Sequence, residues 1–266
     1  MIIDAHLHLW QRHYFDYSWI QPGSRLDRDF DLEDLRPTFE TLRVVGGILV
    51  EAANMPDEIN WLLLTAEAMG PRWGVIGWID ADHPDAPPLI ARLAQRKRFK
   101  GVRSTWLVPR TDQTQFDATV RALDQHRLAA DVLVQVEQLL DLVRLAAAYP
   151  GVTFVIEHLG GLLTTPTVLS SWRVAMQALT RLPNVVLKVS GLINDHKPPP
   201  SHALLRAAVE TALELFGARR LMFGSNWPVA PDYLATVTLL AETVQDIDKT
   251  LLGPLFYQNA ADTYSL

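Results

Sequence analysis

The sequence predicts an α/β chain wound as a single-domain (β/α)8 TIM barrel. Two observations carry that prediction. Eight short runs rich in β-branched residues alternate with longer stretches of helical period. No turn after any run carries G-x-G-x-x-G or a Walker pattern, so a nucleotide-binding doubly wound sheet, which usually shows about six strands, has little support. The length of 266 residues suits one barrel, commonly about 250 residues long. No linker, low-complexity stretch or shift of composition divides residues 1–266.

In chain order, the strand candidates are Ile2–Leu9, Val45–Val50, Trp73–Ile79, Lys100–Arg103, Ala130–Val136, Thr153–Glu157, Val185–Ser190 and Leu221–Gly224. The helical window Pro56–Met69 sets Ile59, Leu62, Leu63 and Ala66 on one face. Gln138–Ala148 does the same with Leu139, Leu142, Val143 and Ala146, and stops at Tyr149-Pro150-Gly151. Thr167–Leu182 and Ser201–Phe216 repeat the pattern, and Pro231–Val244 precedes a closing helix near Leu255–Tyr264. Residues 10–30 break the alternation and carry Trp10, Tyr14, Phe15, Tyr17, Trp19 and Phe30. A long βα loop sits at the C-terminal rim of a barrel, where active sites are built. Its aromatics either anchor the loop to the barrel or cap a substrate pocket.

Lys plus Arg is 24 against 30 Asp plus Glu, a formal net charge of −6, and 48% of residues are hydrophobic. A large core is available, and mild acidity argues against nucleic acid and anionic membrane as partners. The absence of cysteine excludes disulfides, Cys-zinc sites and thiol nucleophiles. Met1-Ile2-Ile3-Asp4-Ala5-His6 has no signal-peptide pattern, and no apolar run approaches the roughly 18 residues of a membrane span. A cytoplasmic location is therefore expected; a homo-oligomer is left open.

His6 and His8 are the sharpest chemical signal. Two apart on a strand, they point to one face, near the C-terminal end of the first barrel strand. There they can hold a divalent metal or grip an oxyanion; the alternative is a hydrogen-bonded core pair. His158 ends the sixth strand and would make three imidazoles on one rim, enough for one zinc-like ion with an open position. Asn226, in Phe223-Gly224-Ser225-Asn226-Trp227-Pro228, follows strand eight, where it can orient a substrate or form an Asx-turn before Pro228. Arg103 suits a carboxylate or a lactone carbonyl, or else a rim ion pair. Glu51, Asp80, Gln135 and Lys188 with Ser190 are further rim candidates, and Asp80 can also cap its own turn. His13, His83, His126, His196 and His202 read as surface residues.

Taken in order, several segments resemble the amidohydrolase superfamily, in its branch of sugar lactonases and related lactone hydrolases. They are Ile3-Asp4-Ala5-His6-Leu7-His8-Leu9-Trp10, Gly77-Trp78-Ile79-Asp80, Gly101-Val102-Arg103, Glu157-His158-Leu159-Gly160, Lys188-Val189-Ser190-Gly191-Leu192, Phe223 to Val229, and Asn259-Ala260-Ala261. The resemblance spans nearly the whole chain. It implies a distorted (β/α)8 barrel that opens a lactone with water, acting on a small-molecule lactone or sugar acid. Some members use one divalent metal and others use none. His6, His8 and His158 would take the metal or oxyanion positions, with His158 also catalytic. Arg103, Trp10, Glu51 and Trp227 would surround the substrate. The family pattern after strand eight is Ser-Asp-Trp-Pro, whose aspartate is the general base; this chain has Asn226 there. No lysine ends strand four, so one metal at most is expected. A lactone isomerase, a decarboxylase or a non-catalytic lactone-binding protein are the rival readings, and the aromatic loop suits a sugar ring and a planar pyrone alike.

Overall fold

The computed structural model describes residues 1–110, 113–164, 169–193 and 200–266. His196 lies outside them. The strands are β1 (Ile2–Leu7), β2 (Val44–Val50), β3 (Trp73–Trp78), β4 (Phe99–Arg103), β5 (Ala129–Val132), β6 (Phe154–Ile156), β7 (Val185–Val189) and β8 (Leu221–Phe223). Each pairs in parallel with the next, in the order β1 to β8. A parallel bridge from Leu7 to Trp227, with the Asn226 N–H donating to the His6 carbonyl at 2.8 Å, joins the last strand to the first. The chain is a single (β/α)8 barrel, as its alternating pattern predicts.

The helices described are α1 (Arg36–Leu42), α2 (Glu58–Met69), α3 (Ala86–Leu93), α4 (Gln113–His126), α5 (Leu139–Ala148), α6 (Leu169–Leu179), α7 (His202–Phe216), α8 (Tyr233–Asp248) and α9 (Asn259–Tyr264). Helix α2 buries Ile59, Leu62, Leu63 and Ala66, the four residues its period selects. Helix α3 opens on Ala86-Pro87-Pro88, where proline costs no hydrogen bond because the first N–H groups of a helix have no partner. Ser201 caps α7 by accepting the Leu204 N–H at 3.2 Å. None of the described helices is long and apolar enough to cross a membrane.

Two apolar layers hold the barrel. The larger lies between strands and helices. The smaller joins Ile3, Ala5, Ile48, Val50, Ile76, Ala129, Val155, Val186 and Met222 with Tyr264 of α9. Ile3 and Ala5 share this inner cluster, yet His6 and His8 also meet groups inside the barrel. A register irregularity between Asp4 and Leu7 makes both possible, because it shifts the alternation by one residue. Gly224 lets β8 pass close by: a Cβ there would meet the His6 Cβ at 2.6 Å.

Candidate active site

The inward ends of the strands carry charge. Arg103, at the end of β4, reaches Glu51 Oε1 with Nη1 at 3.1 Å and lies with Nη2 2.9 Å from Glu157 Oε2. Glu51 and Glu157 follow β2 and β6, and both are buried. Glu51 Oε2 also accepts the Asn54 N–H at 2.9 Å. Lys188 and Asp131, both with no exposed surface, form a short ion pair across the barrel. The Tyr264 hydroxyl donates to Asp131 Oδ1 at 2.9 Å from below.

The three histidines converge. His6 Nε2 lies 3.0 Å from His8 Nε2, and the rings of His6 and His158 are 4.6 Å apart. The Val50 carbonyl, 2.9 Å from His8 Nδ1, can only accept, so that nitrogen carries the proton and His8 Nε2 is a lone pair. His6 then donates from Nε2 and presents Nδ1 to the Lys188 ammonium at 3.3 Å. Ser190 Oγ fixes His158 twice, accepting its backbone N–H at 3.1 Å and pairing with Nδ1 at 2.9 Å. Burial, then the Lys188 ammonium, drives His6 well below the usual imidazole range. Burial, then the Arg103 guanidinium, pushes His8 and His158 down to about 3. All three rings are therefore neutral near pH 7 and can act as ligands or acceptors.

Asn226 sits past β8 with φ of 59°, a left-handed conformation that Asn tolerates. Its backbone is fixed by bonds to the His6 carbonyl and the Ala230 N–H, each at 2.8 Å. Its carboxamide makes no hydrogen bond with any described residue. The cavity it faces measures about 590 Å³ and is walled by His8, Glu51, Arg103 and His158 below and by Trp19, Trp78 and Trp106 above. The Trp19 and Trp106 indole N–H groups go to the Ala52 and Asp131 carbonyls, both at 2.7 Å, so those rings offer only their apolar surface.

The sequence-selected residues divide accordingly. His8, Glu51, Arg103, His158 and Asn226 line one cavity, with His6 buried beneath it. Trp10 and Trp227 do not line it. Trp10 is fully buried and donates to the Arg28 carbonyl at 2.8 Å, and Trp227 packs edge-on to Phe30. Most of the 10–30 aromatics thus anchor the loop, and Trp19 alone of them walls the cavity. Asp80 caps its turn, accepting the Asp82 N–H at 3.0 Å. Gln135 is exposed, and Gln138 takes the place at the cavity expected of it. His13, His83 and His202 are exposed, as read, while His126 is half-buried.

Three groups escaped the sequence reading: Glu157 as a partner of the histidines, Asp131 and Tyr264. One ligand atom each from His6, Glu157 and His158 lies within 4.8 Å of the other two. Both Glu157 oxygens are buried without an aligned hydrogen bond. A buried, under-satisfied carboxylate beside two neutral imidazoles suits a divalent cation.

These features define an enzyme-type barrel with its chemistry at the C-terminal ends of the strands. The chain belongs to the amidohydrolase family, whose profile, described as Amidohydrolase, matches residues 3–266. It is 33% identical over 243 residues to an L-fucono-1,5-lactonase of Burkholderia ambifaria, covering 86% of this chain and 80% of that one. An L-fucono-1,5-lactonase of Burkholderia multivorans is 33% identical over 253 residues, covering 85% and 82% respectively. A crystal structure of an amidohydrolase from Burkholderia multivorans with bound zinc matches at a TM-score of 0.87 and 30% identity, covering 100% of this chain and 99% of that one.

Proposed function

We propose that this chain opens an uncharged sugar-acid lactone by water attack, with residue 226 in the general-base position. The observation that carries the reading is the charge balance of the cavity. Among the described residues that line it the one cation is Arg103, held between Glu51 and Glu157. A guanidinium so compensated keeps N–H groups for a neutral carbonyl but has little net attraction for an anion. A lactone without a carboxylate fits this site, and a dianionic pyrone does not. The lactonase relatives support the same reaction class.

In this reading the lactone carbonyl oxygen lies toward Arg103 and the neutral imidazoles, which bear the charge that develops as water adds. A carboxylate at position 226 would accept the proton of the attacking water; the carboxamide of Asn226 orients that water but cannot take its proton, so the step is slow in this chain. The ring C–O bond breaks, and the leaving alkoxide takes a proton to give the hydroxy acid. The apolar tryptophan surfaces hold the CH face of the sugar ring.

One divalent, zinc-like cation fits His6, Glu157 and His158, with His8 adjacent. When bound it would supply Lewis-acid polarisation of the carbonyl. Lys188 and Arg103 already direct positive charge at His6 and Glu157, so a cation competes with them. Zinc titration of metal-free protein is expected to show no more than one ion per chain. His158→Ala should lose it, and Asn226→Asp, by adding a carboxylate, should bind it more tightly. Binding unchanged in His158→Ala would place the ion elsewhere.

The substrate is tested with Asn226→Asp and a panel of neutral aldonolactones beside a pyrone dicarboxylate, following acid release. The neutral lactones should be favoured in kcat/KM by about 10²-fold or more, the scale of an uncompensated charge in such a site. Preference for the dianion, or no turnover of any lactone, would overturn the proposal.

A further inference from the structure

Glu58 has no part in that chemistry, yet it is a carboxylate with no exposed surface in the first turn of α2. Its Oε2 accepts two successive backbone N–H groups, Ala52 at 2.9 Å and Ala53 at 3.1 Å. The next N–H, that of Asn54, goes to Glu51. Two carboxylates therefore hold the three residues that follow Glu51. From the opposite side, Trp19 donates to the Ala52 carbonyl. Trp19, Glu51, Ala52 and Asn54 all line the cavity. Burial raises the Glu58 carboxyl to about 7; the two N–H groups and the Tyr17 hydroxyl oppose that rise, and the Glu51 charge adds to it. Burying a carboxylate is costly, and a neutral apolar residue would fill α2 more cheaply.

We propose that Glu58 is a positioning residue for substrate binding: it sets segment 51–54, and through it both the Glu51 partner of Arg103 and the Trp19 wall. The kinetic arm of its test rests on the lactone-hydrolase reading; the exchange arm does not.

In the Asn226→Asp background, Glu58→Ala should raise KM for the hydrolysed lactone by about tenfold or more and leave kcat within about threefold, as loss of two charge-assisted bonds outside the reacting centre implies. Glu58→Gln keeps an acceptor oxygen and should hold KM near the parent value. It should also remove any dependence of KM on pH around neutrality. Independently of substrate, the Ala52 and Ala53 amides of the otherwise wild-type chain should exchange about 100-fold faster or more in Glu58→Ala than in Glu58→Gln. Unchanged exchange at these amides, or an unchanged KM in folded Glu58→Ala, would overturn the proposal. So would equal losses in kcat and Tm with no change in KM. If no lactone is hydrolysed, the functional reading fails and the exchange result still decides this one. Should Glu58→Ala not fold, Glu58→Asp, whose carboxylate is one methylene too short to reach both amides, is combined with Trp19→Phe. The two should be non-additive in KM and in exchange of Ala52; strict additivity would contradict a shared segment.

Discussion

Replacing Asn226 with Asp should raise kcat for lactone opening by about 10²–10⁴-fold, the usual contribution of a general base. The side chain already has its place: the backbone is pinned to the His6 carbonyl and the Ala230 N–H, and the carboxamide faces the cavity with no hydrogen-bond partner among the described residues. Asn retains the shape of Asp and one acceptor oxygen, so substrate should bind similarly to both and KM should change little. What Asn lacks is a site for the water's proton. The variant's rate should therefore rise with pH through an acidic pKa, since only the carboxylate form is the base. A gain in kcat without that limb would mean that the new charge acts by another route, such as holding a metal.

The second large effect is structural. Lys188→Met should destabilise the fold by about 3–5 kcal/mol, because it leaves a buried carboxylate unpaired. For a chain of this size that is a fall in Tm of roughly 6–20 °C. Asp131 keeps only the Tyr264 hydroxyl, and His6 Nδ1 loses its donor. Burial already holds the Asp131 carboxyl up at about 6 with the ammonium present. Without it the carboxyl should titrate higher still. The folded state would then bind a proton that the unfolded state releases near its ordinary value of 3.8. Stability of the variant relative to wild type should accordingly worsen as pH rises from about 6, where the wild-type carboxyl titrates, through the higher folded-state value of the variant, then level off. Thermal melts of both proteins across pH 4–9 check this; equal Tm values would show that the pair contributes nothing.

Much of this arrangement was legible beforehand. The alternation of apolar runs and helical windows gave the strand order, and position at a strand's end picked out His6, His8, Arg103, His158 and Asn226. The apolar pattern runs on past the paired ends of two strands. Ile2–Leu9 stops at Leu7 because the His8 N–H turns to the Trp227 carbonyl, and Ala130–Val136 stops at Val132 although Val134 is buried. Apolar pattern reports burial, and rim loops here are buried without being paired. Helices α1, α3 and α4 fell outside the named windows; the paired prolines opening α3 were the signal to use. The partners of the site were hidden for a different reason. Lys188 meets Asp131 and Tyr264 only because the barrel closes, and no local period encodes that. A charged residue amid apolar neighbours within a strand, as in Val-Leu-Lys188-Val and Ala-Asp131-Val, was the available clue, since such a charge must find its opposite. Trp10 shows the limit of reading by residue type: an aromatic at the rim looks like a ligand wall until its N–H is found bonded to the Arg28 carbonyl.

The most direct test is made on the wild-type chain itself. Its equilibrium binding of the neutral aldonolactone that Asn226→Asp opens best, and its rate of opening that lactone, should be measured under the same conditions, with Asn226→Asp as reference. The predicted result is binding at an affinity close to that of the variant together with turnover slower by about 10²–10⁴-fold. Full turnover by the chain carrying Asn226 would contradict the account, because the base would then have to be another group at the cavity, with Glu51 the first to substitute.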